Sequence, residues 1–347
     1  MIKLISFFSL WLASLSMFVA CESNKDVASV KAPSSAPTSP GDTTILKISF
    51  PTDNGPPPTI DGPRAMQYVK EIVAFGPRPV GSANHKKVED YILAHVKGDN
   101  VENDNFTADT PEGKFPVHNI IAKFPGTKDG IIVIASHYDT NYPLRHTSFV
   151  GANDGGSSSA LLLELANQLR GKPREGYSIW LVWDDAEEAI KPDGSGGLRQ
   201  EMPFEKDSLY GITHLAEQWE ADGTLKKVKV FLLADMVGDA DLNIERDTNS
   251  TPWLEDAVYE AATRLGFQSH FFARTMTVSD DHLPFVKRGV PCADFIDFNY
   301  GYNDVFWHTT QDTADKLSPK SLEIVGSTML ETIRILDKMD PLPPNAK

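Results

Sequence analysis

The sequence predicts an α/β protein, a three-layer α/β/α sandwich built on a mixed, mostly parallel central sheet. Three observations predict it. Apolar runs such as Gly130-Ile131-Ile132-Val133-Ile134-Ala135 and Tyr177 to Trp183 show little polar alternation, as strands buried on both faces do. Amphipathic stretches of helical length alternate with these runs and supply layers to cover them. Acidic and imidazole residues gather just after the strands, where open α/β sheets place their ligands.

Taken in order, Thr59-Ile60-Asp61-Gly62-Pro63 offers a helix start before Ala65–Val73, and Gly76 offers a stop. A second helix is expected over His85–Val96. Strands follow over Val101–Thr107, Val117–Phe124 and Ile131–Ala135. Ser157–Leu169 reads as a helix closed by Gly171, and Tyr177–Trp183 as another buried strand. Leu209–Trp219 is helical, Val228–Leu233 a strand, Leu254–Leu265 helical, Ala293–Ile296 a short strand and Leu322–Met339 a final helix. No internal repeat is visible.

The chain has 347 residues, 41% of them hydrophobic and 10% aromatic, enough to bury one large core. Its net charge of −15 argues against a nucleic-acid partner, which needs a basic face to neutralise phosphates. An acidic surface instead mildly favours peptides with a free amino terminus. Lys3, the apolar run Leu4–Ala20 and Cys21 read as a secretory signal, too short for a membrane span with charged flanks. Phe18-Val19-Ala20-Cys21 resembles a bacterial lipobox, in which the cysteine becomes the lipidated first residue of the mature protein. An ordinary cleaved signal or an uncleaved anchor is the alternative. Residues 1–21 are thus the signal with its lipidated Cys21, 22–58 a flexible Ser/Pro-rich tether, and 59–342 a single catalytic domain. The protein is expected to be exported, touching a bacterial membrane only through its lipid and facing the periplasm or the cell exterior. With Cys21 lipidated, Cys292 has no intramolecular partner and is expected to be buried and inert. No coiled-coil seam demands association, so a monomer is expected.

The chemistry lies in Ser136-His137-Tyr138-Asp139, Ala152-Asn153-Asp154-Gly155-Gly156, Asp184-Asp185-Ala186-Glu187-Glu188, Asp235 and Trp307-His308-Thr309. Scattered carboxylates and imidazoles of this kind hold a zinc ion, and a catalytic site keeps one position open. Taken singly, a Glu-Glu pair is a solvated surface, Asn-Asp-Gly-Gly a turn, and His308 a satisfied core histidine. Together, crowded on one sheet rim, they would repel unless a cation neutralised them. Neighbouring residues on extended backbone point different ways, so one of Glu187 and Glu188 can bind metal while the other faces substrate. His214 and His282 are expected to be structural.

These motifs resemble those of the zinc aminopeptidase clan and, within it, animal-type glutaminyl cyclases. The cyclase-like segments are Phe106 to Gly113, Asp207-Ser208-Leu209-Tyr210-Gly211-Ile212-Thr213-His214-Leu215-Ala216, and Val278-Ser279-Asp280-Asp281-His282-Leu283-Pro284-Phe285, and the likeness runs from about residue 60 to about 340. The resemblance implies a zinc-aminopeptidase-like fold in which Asp154, Glu188 and His308 hold one zinc ion. It implies Glu187 as general acid/base, with Asp235 and Asp280 sharing its protons, and conversion of amino-terminal glutamine to pyroglutamate with release of ammonia. The substrates would be peptides or proteins beginning with Gln. The rival is a two-metal aminopeptidase in which His137 and Asp235 hold a second zinc; a binding module that keeps only the fold is a third reading. This chain departs from the animal pattern in lacking a tryptophan in the loop after Glu188, a Phe-Pro segment before Trp307-His308-Thr309, and a disulfide near the site. Trp307 remains available as an aromatic wall for substrate or as a core residue, and the Gly-rich segment 191–205 is long enough to form a rim.

Overall fold

The computed structural model describes residues 48–53, 55–191 and 207–343. Helices α1 (Gly62–Val73) and α2 (Ala83–His95) come first. Asp61 and Ser82 cap them by accepting the backbone N–H groups of Arg64 and His85. The sheet then begins with β1 (Asn100–Thr110), β2 (Gly113–Phe124) and β3 (Lys128–His137), followed by α3 (Gly156–Leu169), β4 (Tyr177–Asp184) and α4 (Tyr210–Asp222). β5 (Val228–Asp235), β6 (Ile244–Asp247), α5 (Pro252–Leu265), β7 (Phe271–Met276), α6 (Leu283–Val286), β8 (Cys292–Ile296) and α7 (Pro319–Lys338) complete the chain.

The main sheet has the order β1-β2-β4-β3-β5-β8. β4, β3, β5 and β8 run parallel, while β2 is antiparallel to both neighbours. Alternation along the parallel strands sorts side chains into two cores. Ile132, Ile134, Leu181, Val230 and Leu232 pack with residues of α1, α2, α3, α5 and α7. Ile131, Val133, Val182, Phe231 and Leu233 pack with Ile212, Leu215 and Trp219 of α4 and Phe285 of α6. Because both faces of each strand are covered, a near-continuous apolar run was the right sequence pattern for these strands. The fold is the expected three-layer α/β/α sandwich on a mixed, mostly parallel sheet.

Two features differ from the sequence expectation. β6 and β7 pair in parallel as a separate two-stranded sheet; β6 is four residues long and β7 mostly exposed, so neither carries a period-two signal. The expected tether, 22–58, ends too late. Ile48 and Phe50 pack on the larger core, and Asp53 pairs with Arg334 at 2.6 Å and Lys338 at 2.8 Å, so residues 48–58 belong with the folded domain. Composition hid this, because two apolar residues and one acid suffice to dock a Pro-rich segment. The signal, Cys21 and residues 22–47 lie outside the described residues, as do 192–206, most of the expected Gly-rich rim.

One junction positions the Glu187-Glu188 pair. The N–H groups of Leu209, Tyr210 and Gly211, at the start of α4, donate to the carbonyls of Glu187 (2.8 Å), Ala186 (2.9 Å) and Asp185 (3.0 Å). Helix-start amides that lack intrahelical partners are thereby satisfied, and the segment after β4 is docked onto α4. Gly211 permits the approach, since a Cβ there would lie 2.1 Å from the Asp185 carbonyl oxygen. Gly211→Ala should therefore lower stability by about 1–3 kcal/mol, measured by urea denaturation; an unchanged midpoint would contradict this docking.

Candidate active site

Three strand ends and two loops converge at the carboxyl edge of the parallel strands. β3 ends at His137 and β5 at Asp235; β4 ends at Asp184, just ahead of Glu187 and Glu188. Asp154 comes from the loop before α3, and His308 from the irregular segment between β8 and α7. His137 Nε2 lies 3.2 Å from Asp154 Oδ1 and 3.3 Å from Asp235 Oδ1. His308 Nε2 lies 3.0 Å from Asp154 Oδ2 and 3.2 Å from Glu188 Oε2. The Asp154 carboxylate thus sits between two imidazoles, one oxygen toward each. Gly155, at φ +70°, is required here: a Cβ would come within 2.7 Å of the His137 ring.

Asp139 orients the glutamates, its carboxylate accepting the backbone N–H groups of Glu187 (3.2 Å) and Glu188 (3.4 Å). Asn141 donates to Glu188 Oε2 at 3.1 Å. Ala186, Met236 and His308 all hold left-handed backbone at φ +57°, +50° and +49°. Such non-glycine conformations cost roughly 1–3 kcal/mol each and concentrate at functional sites. Each is either a site residue or the immediate neighbour of one.

Two groups of donors that share Asp154 are suited to a cation. In Asp154, Glu188 and His308, and again in His137, Asp154 and Asp235, one ligand atom per residue lies within 4.8 Å of the others, and all are buried. Asp154 Oδ2 and Glu188 Oε1 find no hydrogen-bond donor among the described residues, although His308 Nε2 is only 3.0 Å from the former. A close nitrogen that is not aligned as a donor, beside orphaned buried carboxylate oxygens, suits a shared ion better than a hydrogen bond. The donor chemistry, two carboxylates and one imidazole, matches zinc in a site with an open position.

Electrostatics separate the carboxylates. Burial pushes Glu188 up to about 7, with Asp154 adding to the rise and His308 opposing it. Burial also lifts Glu187 well above its ordinary value, against His137 and with Glu188, Asp280 and Asp235. Burial would raise Asp154 as well, but its contacts with His137 and His308 outweigh it and hold Asp154 below the usual range. His137, whose burial disfavours charge, is nevertheless raised by Asp139, Asp154 and Asp235. Burial thus favours the protonated form of Glu187, while the two imidazoles favour the ionised form of Asp154.

Glu187 also groups with Asp280 and Asp281 within 4.8 Å. Behind them the buried carboxyls of Asp184 and Asp281 interact with each other, and two buried carboxyls so placed favour a shared proton. Burial raises Asp184 to about 6 and lifts Asp281 and Asp280 well above the usual carboxylate range. Asp139, Asp184 and Asp281 stand within the sequence motifs without an assigned role, and Asn141 carried no signal; their parts appear only when the chain brings them to Glu187 and Glu188.

A cavity of about 260 Å³ opens over this cluster, with Asp154, Glu187, Glu188, Asp235, Asp280 and His308 in its lining. Met276, Val278, Ile296, Phe298 and Trp307 supply the apolar wall. Trp307 stacks on His308 with ring centres 4.2 Å apart and tilts against Phe298 at 4.8 Å. His214 and His282 lie elsewhere: His214 reaches Asp104 at 3.1 Å and stacks on Phe106, and His282 is buried between Asp247 and Asp294. Cys292 is buried, its thiol pushed up by burial.

Comparison with known proteins gives the family. The profile of peptidase family M28 matches residues 119–333, more than half of the chain. The chain is 29% identical over 308 residues to a glutaminyl-peptide cyclotransferase of Drosophila melanogaster, covering 78% of this chain and 81% of that one. Among solved structures it resembles an Acidobacteriales bacterium glutaminyl cyclase at 48% identity and a TM-score of 0.77, covering 84% of this chain and 99% of the other. It also resembles a Zn-dependent exopeptidase from Parabacteroides distasonis at 26% identity and a TM-score of 0.71, covering 80% and 99%. With the matched span containing His137, Asp154, Glu187, Glu188, Asp235, Asp280 and His308, the chain belongs to peptidase family M28.

Proposed function

We propose that this protein is a zinc-dependent glutaminyl-peptide cyclotransferase, converting amino-terminal glutamine of peptides to pyroglutamate and releasing ammonia. One observation carries the reading: Glu187, grouped with Asp280 and Asp281, shares an apolar-walled cavity with Asp154, Glu188 and His308. A buried proton carrier thus stands next to a cation site. The likeness to proteins named glutaminyl-peptide cyclotransferase and glutaminyl cyclase supports the same reaction.

In this assignment Asp154, Glu188 and His308 hold one zinc ion. When bound, it supplies Lewis acidity toward the substrate γ-carbonyl. The chain's residues do the rest. The wall of Met276, Val278, Ile296, Phe298 and Trp307 encloses the glutamine side chain folded back on its own α-amine, so nucleophile and electrophile meet as parts of one residue. Glu187 accepts a proton from the α-amine as the new N–C bond forms. It returns that proton to the side-chain nitrogen as the old C–N bond breaks, and ammonia leaves. Atoms balance without water. Asp280 and Asp235, whose charges help raise Glu187, favour its protonated form and so its return of the proton.

The second reading, an aminopeptidase, rests on the His137, Asp154 and Asp235 group, a place for a further cation. Glu187 would then act on water rather than on the substrate amine. The Parabacteroides likeness keeps this reading in view. Incubation with a glutaminyl peptide and a leucyl peptide separates the two. Cyclisation predicts ammonia and a mass loss of about 17 Da, the departing NH₃, from the first peptide only; free leucine from the second would establish hydrolysis.

Glu187→Gln should abolish turnover while leaving zinc bound, since the amide keeps the volume and loses the proton shuttle; loss of metal would mean that Glu187 and Glu188 have exchanged roles. For location, we propose an exported lipoprotein anchored through Cys21, a reading supported by Lys3, the apolar run to Ala20 and the lipobox-like Phe18-Val19-Ala20-Cys21. No helix among the described residues is long and apolar enough to cross a membrane. Cys21→Ala should move the protein from the membrane to the soluble fraction of fractionated cells, and continued membrane retention would refute the lipid anchor.

A further inference from the structure

The ligand assignment leaves open what fixes the distance between Asp154 and His308, which come from remote parts of the chain. Asp312 lies four residues after His308 and is fully buried. One of its oxygens, Oδ1, accepts the backbone N–H of Asn153 at 2.8 Å and the hydroxyl of Tyr300 at 2.8 Å. The other, Oδ2, accepts the N–H of Asp154 at 3.2 Å. The Asp312 N–H donates back to the Thr309 carbonyl at 3.0 Å, tying the carboxylate to the turn that carries His308.

The same loop is held from its other side by Arg78, whose guanidinium is entirely buried and donates to backbone carbonyls. Nε bonds Tyr138 O at 2.7 Å, Nη1 bonds Val150 O, and Nη2 bonds Gly151 O at 2.9 Å and Asp154 O at 3.2 Å. A buried cation thus takes the carbonyls of the 150–154 loop while a buried anion takes its amides. Charge-assisted bonds of this kind are the stronger ones, and they hold a loop best where water cannot compete.

We propose that Asp312 is the positioning residue that sets the spacing of two metal ligands, bracing the Asp154 loop against the His308 turn with Arg78 as its counterpart. This rests on the assignment of Asp154, Glu188 and His308 as ligands. Asp312 touches neither ion nor substrate in this account; it acts by preorganising the backbone from which one ligand projects. Supporting residues of this kind typically change metal affinity by about 10–100-fold when altered.

The test measures zinc affinity by chelator competition, and thermal stability with and without zinc, for the full chain and three variants. Asp312→Asn keeps the volume but turns an N–H toward one of the backbone donors; zinc affinity should fall by about 10–100-fold, with kcat at saturating zinc changing less than the affinity. Tyr300→Phe removes a single donor to Asp312 and should weaken zinc in the same direction by a smaller factor, which decides the matter if Asp312→Asn fails to fold. A purely structural Asp312 would lower the melting temperature equally with and without zinc and leave the affinity of both variants at the wild-type value, overturning the proposal. His308→Ala is the control. Retention of a full zinc equivalent there would overturn the ligand assignment, and the brace with it. Loss of zinc in His308→Ala with wild-type affinity in the other two would overturn the brace alone.

Discussion

The structure depends on a concentration of buried negative charge that the protein part alone does not neutralise. Asp154, Glu187, Glu188, Asp235, Asp280, Asp281 and Asp184 are all buried at one edge of the sheet, together with His137 and His308. Carboxylates placed so close must bind protons, pair with cations or be pushed apart. The arrangement divides these outcomes by position. Burial raises Asp184, Asp281 and Glu187 above the usual carboxylate range, while two imidazoles hold Asp154 below it. What remains, Asp154 with Glu188 and His308, is the part that a divalent ion would resolve.

The fold makes this crowding possible. Parallel strands buried on both faces deliver His137, Asp184 and Asp235 to a single edge in register, since β3 pairs with both β4 and β5. The loops beyond them are then pinned by buried groups rather than left to wander. Asp139 takes the amides of Glu187 and Glu188, the start of α4 takes the carbonyls of residues 185–187, and Arg78 and Asp312 grip opposite sides of the Asp154 loop. Left-handed backbone at Ala186, Met236 and His308 is tolerated because those surroundings leave no alternative. Preorganisation of this sort is what positions a proton carrier for use in both directions of a transfer.

Much of this was legible before any coordinates. The buried strands announced themselves by continuous Ile, Val and Leu, and once they were placed, His137, Glu187, Glu188 and Asp235 fell at strand ends by counting. The functional assignment of Asp154, Glu188 and His308 came from motif likeness, because nothing in spacing alone says that residue 308 returns to residue 154. The rest was hidden for physical reasons. Asp312 and Arg78 act through backbone atoms, which have no residue-type signature. Asp184 and Asp281 matter only as a pair, formed between the end of β4 and the segment before α6. The β6 and β7 pair is too short to show periodicity, and the docking of residues 48–58 rests on a few side chains within a composition that reads as linker.

The central claim, that one ion is gripped by Asp154, Glu188 and His308, is tested most directly by anomalous diffraction from crystals grown with zinc. The account predicts a single strong anomalous peak at about 2.0–2.2 Å from one oxygen of each carboxylate and one nitrogen of the imidazole. A peak held instead by His137 and Asp235, or no peak at any of these residues, would contradict it.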